Sequence, residues 1–136
     1  WQNGEKPDVT VVTYGRIVTE ALAAAKKLAE KGVTVRILLC EIVSPAAAVA
    51  KDLQPEIAGR AVLFLEEGVL HGGFAENVSV ELAARGASKP FRILAIENGF
   101  RPLTKGQTPA GAAGIDAAAI AGAVNELIKE KKNDSD

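Results

Sequence analysis

The residues most able to do chemistry lie close together in the middle of the chain. Two carboxylates, the only histidine and a pair of glycines share one short segment, which we call the 66–73 segment. Its candidate residues are Glu66, Glu67, His71, Gly72 and Gly73. An imidazole beside carboxylates can transfer protons near neutral pH. Glycines before a helix can bring its free amides close to a sheet or to an anion.

The flanking residues predict which elements hold this segment. Before it, Ala61 to Leu65 is a short apolar run, as in a buried strand. After it, Phe74, Val78 and Leu82 recur four residues apart, which indicates a helix from Phe74 to Arg85. We therefore expect a strand-to-helix turn, at the sheet edge where α/β proteins usually bind ligands and partners.

The rest of the chain repeats the alternation of apolar runs and helical patterns. The sequence predicts strands at Val9–Thr13, Val33–Cys40, Ala61–Leu65 and Phe91–Ile96, and helices at Ile17–Lys31, Ala46–Leu53 and Phe74–Arg85. An irregular connection over residues 98–114 leads to a last helix capped by Asp116. Strands with so little polar surface favour an α/β fold whose parallel sheet is covered on both faces.

Composition excludes several classes of function. The 136 residues are 48% hydrophobic and 24% charged, with a net charge of −1, so nucleic acid and anionic membranes are not expected partners. One cysteine excludes an internal disulfide, and we expect a cytoplasmic location. The chain has no methionine, which suggests the C-terminal domain of a longer protein. We expect a linker over residues 1–7, a domain over 8–129 and a frayed tail over 130–136.

Four specific chemistries find little support. The turn Tyr14-Gly15-Arg16 has one glycine where a dinucleotide fingerprint needs three, and Arg16 is expected to be solvated. A phosphorylated receiver domain would need acidic residues after the first strand, where Tyr14 and Gly15 stand. Cys40 is expected to be buried and unreactive, with Glu41 raising its pKa. The 66–73 segment has too few ligands for a metal.

The 66–73 segment itself remains open to two interpretations. Carboxylates at strand ends often bind backbone amides, which favours a structural or interface role. The alternative is a small-molecule or anion site that is regulatory or catalytic, with His71 as the residue to test. We predict no catalytic residues, cofactor ligands or metal ligands in this domain.

These motifs together resemble the C-terminal domain of the transketolase-like thiamine diphosphate enzymes. The similar stretches are residues 8–15, 21–25, 31–33, 65–68 and 72–73, and the likeness runs from Asp8 to Ile128. The ending, with Phe100, Gly106 and residues 114–120, is most similar to 1-deoxy-D-xylulose-5-phosphate synthase. Residues 66–68 also resemble the β subunits of 2-oxoacid dehydrogenases, and transketolase is a third possibility. Ala75 departs from the family, whose members often carry glycine there.

The resemblance implies a three-layer α/β/α sandwich with a mostly parallel sheet. Such a domain helps a homodimer to assemble and supports the active site, while thiamine diphosphate and its Mg ion lie between the enzyme's other domains. The expected partners are therefore those remaining domains. The full enzyme would transfer a two-carbon unit, and the synthase would join pyruvate to glyceraldehyde 3-phosphate for isoprenoid precursors. This domain alone would be inactive.

Overall fold

A computed structural model describes residues 1–87, 91–97 and 102–133 of the chain, without the side chains of residues 131–133. Strands β1 to β4 are Val9–Thr13, Val35–Leu39, Ala61–Val69 and Phe91–Ile96. Helices α1 to α5 are Val18–Ala29, Ala46–Ile57, Phe74–Ala84, Pro109–Ala113 and Ala117–Asn133. A short 3₁₀ turn, Gly15–Ile17, connects β1 to α1.

The strands form one parallel sheet in the order β2-β1-β3-β4. Helices cover both of its faces, with α1 and α5 packed together on one side and α2 and α3 on the other. The predicted α/β class and three-layer arrangement are confirmed. Parallel neighbours need crossover connections, and the helices between the strands provide them.

Two hydrophobic cores lie on opposite faces of this sheet. On β1, Val11 belongs to the core under α1 and α5, whereas Val12 belongs to the core under α2 and α3. On β3, Leu63 and Phe64 divide in the same way. Successive side chains of a strand point to opposite faces, so a strand buried on both faces is apolar throughout.

Strand β3 is longer than its apolar run suggested. It continues four residues past Leu65, because β4 pairs along it as far as Val69, opposite Ile96. The register shifts between Leu65 and Val69. The predicted end at Leu65 was therefore wrong, and both Glu66 and Glu67 lie on the strand rather than in a turn.

Other element bounds differ less. Helix α2 continues past the predicted end at Leu53 to Ile57, with Pro55 inside it. The connection predicted as irregular contains α4, which Thr108 caps by accepting a hydrogen bond from the Gly111 amide at 3.0 Å. Asp116 caps α5 as predicted, since its Oδ1 accepts the Ala119 amide at 2.9 Å. Phe100, part of the predicted ending, lies outside the described residues.

At its start the described chain pairs with the sheet, and at its end it is helical. Residues 1–3, within the predicted linker, hydrogen-bond to the outer edge of β2. Helix α5 reaches Asn133, inside the predicted tail, and residues 134–136 are not described. The domain boundaries stay a prediction. Across the described ranges, no helix is long and apolar enough to cross a membrane.

Candidate functional site

The sheet separates the two adjacent carboxylates of the 66–73 segment. Glu66 and Glu67 are neighbours on β3, so they point to opposite faces. Glu66 lies on the α3 side, where it accepts the backbone amide of Ala75. Glu67 lies on the α1 side and pairs with Arg16. The two acids therefore cannot act together on one substrate.

Glu66 is a fully buried carboxylate at the start of α3. Its exposed fraction is 0%, and its Oε2 accepts the Ala75 amide at 3.3 Å. The Phe74 amide and the Tyr14 hydroxyl also lie near this carboxylate and favour its charged form. Burial nevertheless raises the pKa of Glu66, because these nearby donors offset only part of the cost of removing a charge from water. Within the described residues, its Oε1 has no hydrogen-bond partner.

Tyr14 joins the end of β1 to this carboxylate. Its ring meets that of Phe74 edge to face, with centroids 5.1 Å apart. Burial, and secondly the nearby Glu66 charge, raises the pKa of the Tyr14 phenol. Sequence reasoning missed this role for Tyr14. The signal was its position directly after β1, because the carboxyl ends of adjacent parallel strands lie at one edge.

Gly73 allows α3 to begin against β3. A Cβ on Gly73 would lie 2.1 Å from Glu66 Oε1 and 2.2 Å from the Val69 carbonyl oxygen. The backbone of Gly73 is extended, with φ −75° and ψ 178°, so space rather than conformation requires glycine here. Gly72 differs, because its φ is +81° and nothing lies within 4 Å of its Cβ position.

His71 lies on the surface, away from the buried Glu66. Its side chain is 69% exposed, and its Nδ1 lies 3.3 Å from Glu76 Oε1. The other oxygen of Glu76 accepts the Gly72 amide at 2.6 Å. This backbone hydrogen bond, followed by the one to His71, lowers the pKa of Glu76. The histidine thus has a carboxylate partner, but not one of the two singled out in the sequence.

Sequence reasoning also missed Glu76. It is the third residue of α3, the position from which an acid commonly reaches back to amides before the helix. That spacing from Gly73, the residue preceding α3, was the available signal.

Arg16 is ion-paired as well as solvated. Its Nε donates to Glu67 Oε2 at 2.8 Å, and a second guanidinium nitrogen donates to Oε1 of the same carboxylate. The Arg16 side chain is 73% exposed, so the pair contributes little net stability in water. An anion bound to Arg16 would have to compete with Glu67.

Cys40, directly after β2, is half-buried. Burial raises the pKa of its thiol, whereas the sequence-based expectation assigned that effect to Glu41. A raised pKa reduces the thiolate fraction at neutral pH. In the described ranges, no group of three or more His, Cys, Asp or Glu side chains could hold a metal ion.

Comparison with known proteins places this geometry in a family. The family model described as "Transketolase, C-terminal domain" matches residues 2–120. Among similar curated proteins, the 1-deoxy-D-xylulose-5-phosphate synthase of Anaeromyxobacter dehalogenans (strain 2CP-1) is 36% identical over 132 residues, 93% of this chain and 20% of the relative. A synthase of the same name from Treponema pallidum subsp. pallidum is 33% identical over 123 residues, 89% of this chain and 19% of the relative.

A relative named 1-deoxy-D-xylulose-5-phosphate synthase 1, from Geobacter sulfurreducens, is 32% identical over 131 residues, 93% of this chain and 20% of its own length. This chain thus spans about a fifth of the length of these curated relatives. The matches confirm the resemblance drawn from the motifs. The chain belongs to the family of transketolase C-terminal domains.

Proposed function

We propose that this chain is the assembly and support domain of a thiamine-diphosphate-dependent 1-deoxy-D-xylulose-5-phosphate synthase. The whole enzyme condenses pyruvate with glyceraldehyde 3-phosphate in the cytoplasm, as a homodimer. The named relatives support the synthase over transketolase or a 2-oxoacid dehydrogenase β subunit. In this proposal the isolated domain has no activity of its own.

The burial of Glu66 is the observation that carries the supporting role. A catalytic carboxylate must reach its substrate, whereas Glu66 is 0% exposed and accepts the Ala75 amide in the first turn of α3. The positive end of the helix dipole favours a carboxylate at that place. Glu66 therefore connects β3, the end of β1 and α3, which gives this edge of the sheet a rigid shape for contact with other domains.

The described residues do not fit a thiamine diphosphate site with its metal. They contain no group of three or more His, Cys, Asp or Glu side chains that could hold a metal ion. The turn after β1 has only Gly15 to let a diphosphate approach the backbone. We propose that the rest of the enzyme binds the cofactor, and we derive no catalytic step in this domain.

An anion or effector site at the 66–73 segment is the second candidate, but its donors are occupied. Glu76 accepts the Gly72 amide, and Glu66 accepts the Ala75 amide. A bound anion would meet these two carboxylates as well as the helix N-terminus. The exposed imidazole of His71 is the one feature of the segment that favours a ligand.

Calorimetry and enzyme assays test the proposal directly. The 136-residue chain should show no heat of binding with thiamine diphosphate and Mg, and no turnover of pyruvate. The full-length enzyme should form 1-deoxy-D-xylulose-5-phosphate. Tight cofactor binding by the isolated chain would contradict the supporting role, and a full-length enzyme without this product would contradict the synthase assignment.

Substitution of His71 separates the two candidates. If the segment supports assembly, His71→Ala in the full-length enzyme leaves kcat and KM unchanged and lowers dimer stability. If it binds an effector or substrate anion, His71→Ala raises the corresponding constant without loss of stability. Val80→Ala, which changes an exposed side chain on α3, the helix that follows His71, is the control.

A further inference from the structure

Residues 1–3 already cover part of the outer edge of β2. Trp1 and Ile37 exchange two backbone hydrogen bonds, with the Ile37 amide 2.7 Å from the Trp1 carbonyl oxygen and the Trp1 amine 3.2 Å from the Ile37 carbonyl oxygen. Gln2 pairs with Arg36 in the antiparallel sense, and the Asn3 amide donates to Val35 at 3.2 Å. These residues thus form a short antiparallel bridge at the edge of a parallel sheet.

The register of this pairing continues towards Leu39. Alternate residues of a strand direct their amides and carbonyls to the same edge, so Leu39 follows Val35 and Ile37 in facing outwards. The next residue, Cys40, faces the opposite way, because its amide donates inwards to the Thr13 carbonyl oxygen at 2.8 Å. The Leu39 side chain is 52% exposed. The edge beyond Trp1 therefore presents a backbone donor and acceptor beside an exposed apolar side chain.

An apolar groove of about 380 Å³ adjoins this open edge. It lies between the end of β2 and α2, and apolar side chains that include Ile42, Val49 and Leu53 make up most of its lining. The carboxylates Glu41, Asp52 and Glu56 also line it. Ile42 is 69% exposed, and the adjoining Val43 is 41% exposed. Exposed apolar side chains grouped beside an unpaired strand edge are typical of a surface that another segment covers.

We propose that the polypeptide immediately upstream of Trp1 in the longer enzyme covers this edge and groove. It continues the antiparallel ladder past Leu39, and its alternate apolar side chains enter the groove beside Ile42. This inference depends on the proposed function, because it requires that the chain is one domain of a larger enzyme. Strand addition of this kind obtains affinity from main-chain hydrogen bonds and specificity from side-chain pockets.

Two observations favour this occupant. The antiparallel register directs any residue before Trp1 along β2 towards Leu39, rather than away from the sheet. The curated relatives are about five times as long as this chain, and the matched family is a C-terminal domain, which places the additional polypeptide upstream. A second copy of the chain is the competing occupant.

Amide hydrogen exchange tests the proposal at a single position. The Leu39 amide should exchange at least about tenfold more slowly in the full-length enzyme than in the 136-residue chain. The Ile37 amide, which donates to Trp1, is the internal reference and should be protected in both. Equal Leu39 exchange in the two proteins, with Ile37 protected in each, would overturn the proposal.

Matched aspartate substitutions test the groove. Ile42→Asp and Val80→Asp place a charge at side chains that are 69% and 63% exposed, so neither should unfold the isolated chain. In the full-length enzyme, Ile42→Asp should accelerate Leu39 exchange about tenfold, whereas Val80→Asp, on α3, should leave it unchanged. Equal effects of the two substitutions on Leu39 would contradict a covered groove.

Sedimentation and activity distinguish the remaining outcomes. If the isolated chain dimerises and Ile42→Asp makes it monomeric, a second copy occupies the groove and the proposal is wrong. Synthase activity is measured separately on the full-length enzyme. Protection of Leu39 in an enzyme without that activity would retain the docked upstream strand and reject only the synthase assignment.

Discussion

Substitution of Gly73 tests the contact between β3 and α3 most sharply. In Gly73→Ala, the added methyl group would lie 2.1 Å from Glu66 Oε1 and 2.2 Å from the Val69 carbonyl oxygen. Both distances are about 1 Å shorter than a methyl group tolerates. The Val69 carbonyl oxygen is a backbone atom of β3, so the start of α3 must move away from the strand. That movement would also lengthen the hydrogen bond from Ala75 to Glu66.

The expected cost combines these two effects. Overpacking in a core typically costs about 1–3 kcal/mol. Weakening a hydrogen bond to a buried charged group costs about 1.5–3 kcal/mol. Movement of the helix start relieves part of the overpacking but weakens the hydrogen bond, so the two costs do not simply add. We therefore expect a loss of about 3 kcal/mol in the free energy of unfolding. A domain of this size commonly has a stability of about 5–15 kcal/mol, so the variant should remain folded at about 25 °C.

Urea unfolding followed by circular dichroism measures this loss against two glycine controls. Gly72→Ala adds a methyl group in open space at a φ of +81°, which should cost about 1–2 kcal/mol. Gly122→Ala, in open space within α5, should stabilise the domain by about 0.8 kcal/mol. In a Glu66→Ala background, the cost of Gly73→Ala should fall by about 1 kcal/mol, because one of the two opposing oxygens is absent.

The ranking of the variants decides whether the reasoning holds. If Gly73→Ala is no more destabilising than Gly72→Ala, the close approach of α3 to β3 is not what requires glycine. An undiminished Gly73→Ala cost in the Glu66→Ala background would assign the clash to the Val69 carbonyl alone.

Three further predictions concern the titrating groups. Because the pKa of Glu66 is raised, its contribution to stability is fully present below pH 4.5 and is lost as pH rises through the folded-state pKa. Glu66→Gln should therefore gain stability relative to the wild type as pH rises over that range. Urea midpoints of the two proteins that stay parallel from about pH 4 to 7 would contradict this. Glu76→Gln should accelerate exchange of the Gly72 amide and leave the Ala75 amide unchanged, as NMR would show. Cys40 should react with a maleimide more slowly than free cysteine at about pH 7 and at the ordinary rate in urea; a fast reaction in the folded state would refute the inhibition by burial.

Much of the fold followed from local patterns. The strands β1 and β4 have the predicted bounds, and Asp116 caps α5 as its position before an apolar helical pattern suggested. The extent of β3 was not predictable in this way. Its last four residues are a strand because β4 pairs with Val69, and the partner there, Ile96, lies far along the chain. The local sequence of an apolar run does not indicate which distant strand residue will pair with it.

The same limit applied to the site. The acid, imidazole and glycine types of the 66–73 segment were evident, and so was its position before α3. The contacts of these side chains were not evident from the sequence, because Tyr14 and Arg16 approach the two carboxylates from a different part of the chain. Glu76 was the exception, since its place in the first turn of α3 is a local signal.

By itself, then, the sequence determined the order along the chain of the four strands and of every helix except α4, the two-sided burial of the sheet and the family. Those depend on periodicity and motif spacing within short windows. Tertiary structure alone decided the chemistry of the segment. The pleat of β3 sends Glu66 into the core under α3 and Glu67 towards Arg16, so a pair of acids adjacent in sequence became two separate structural contacts.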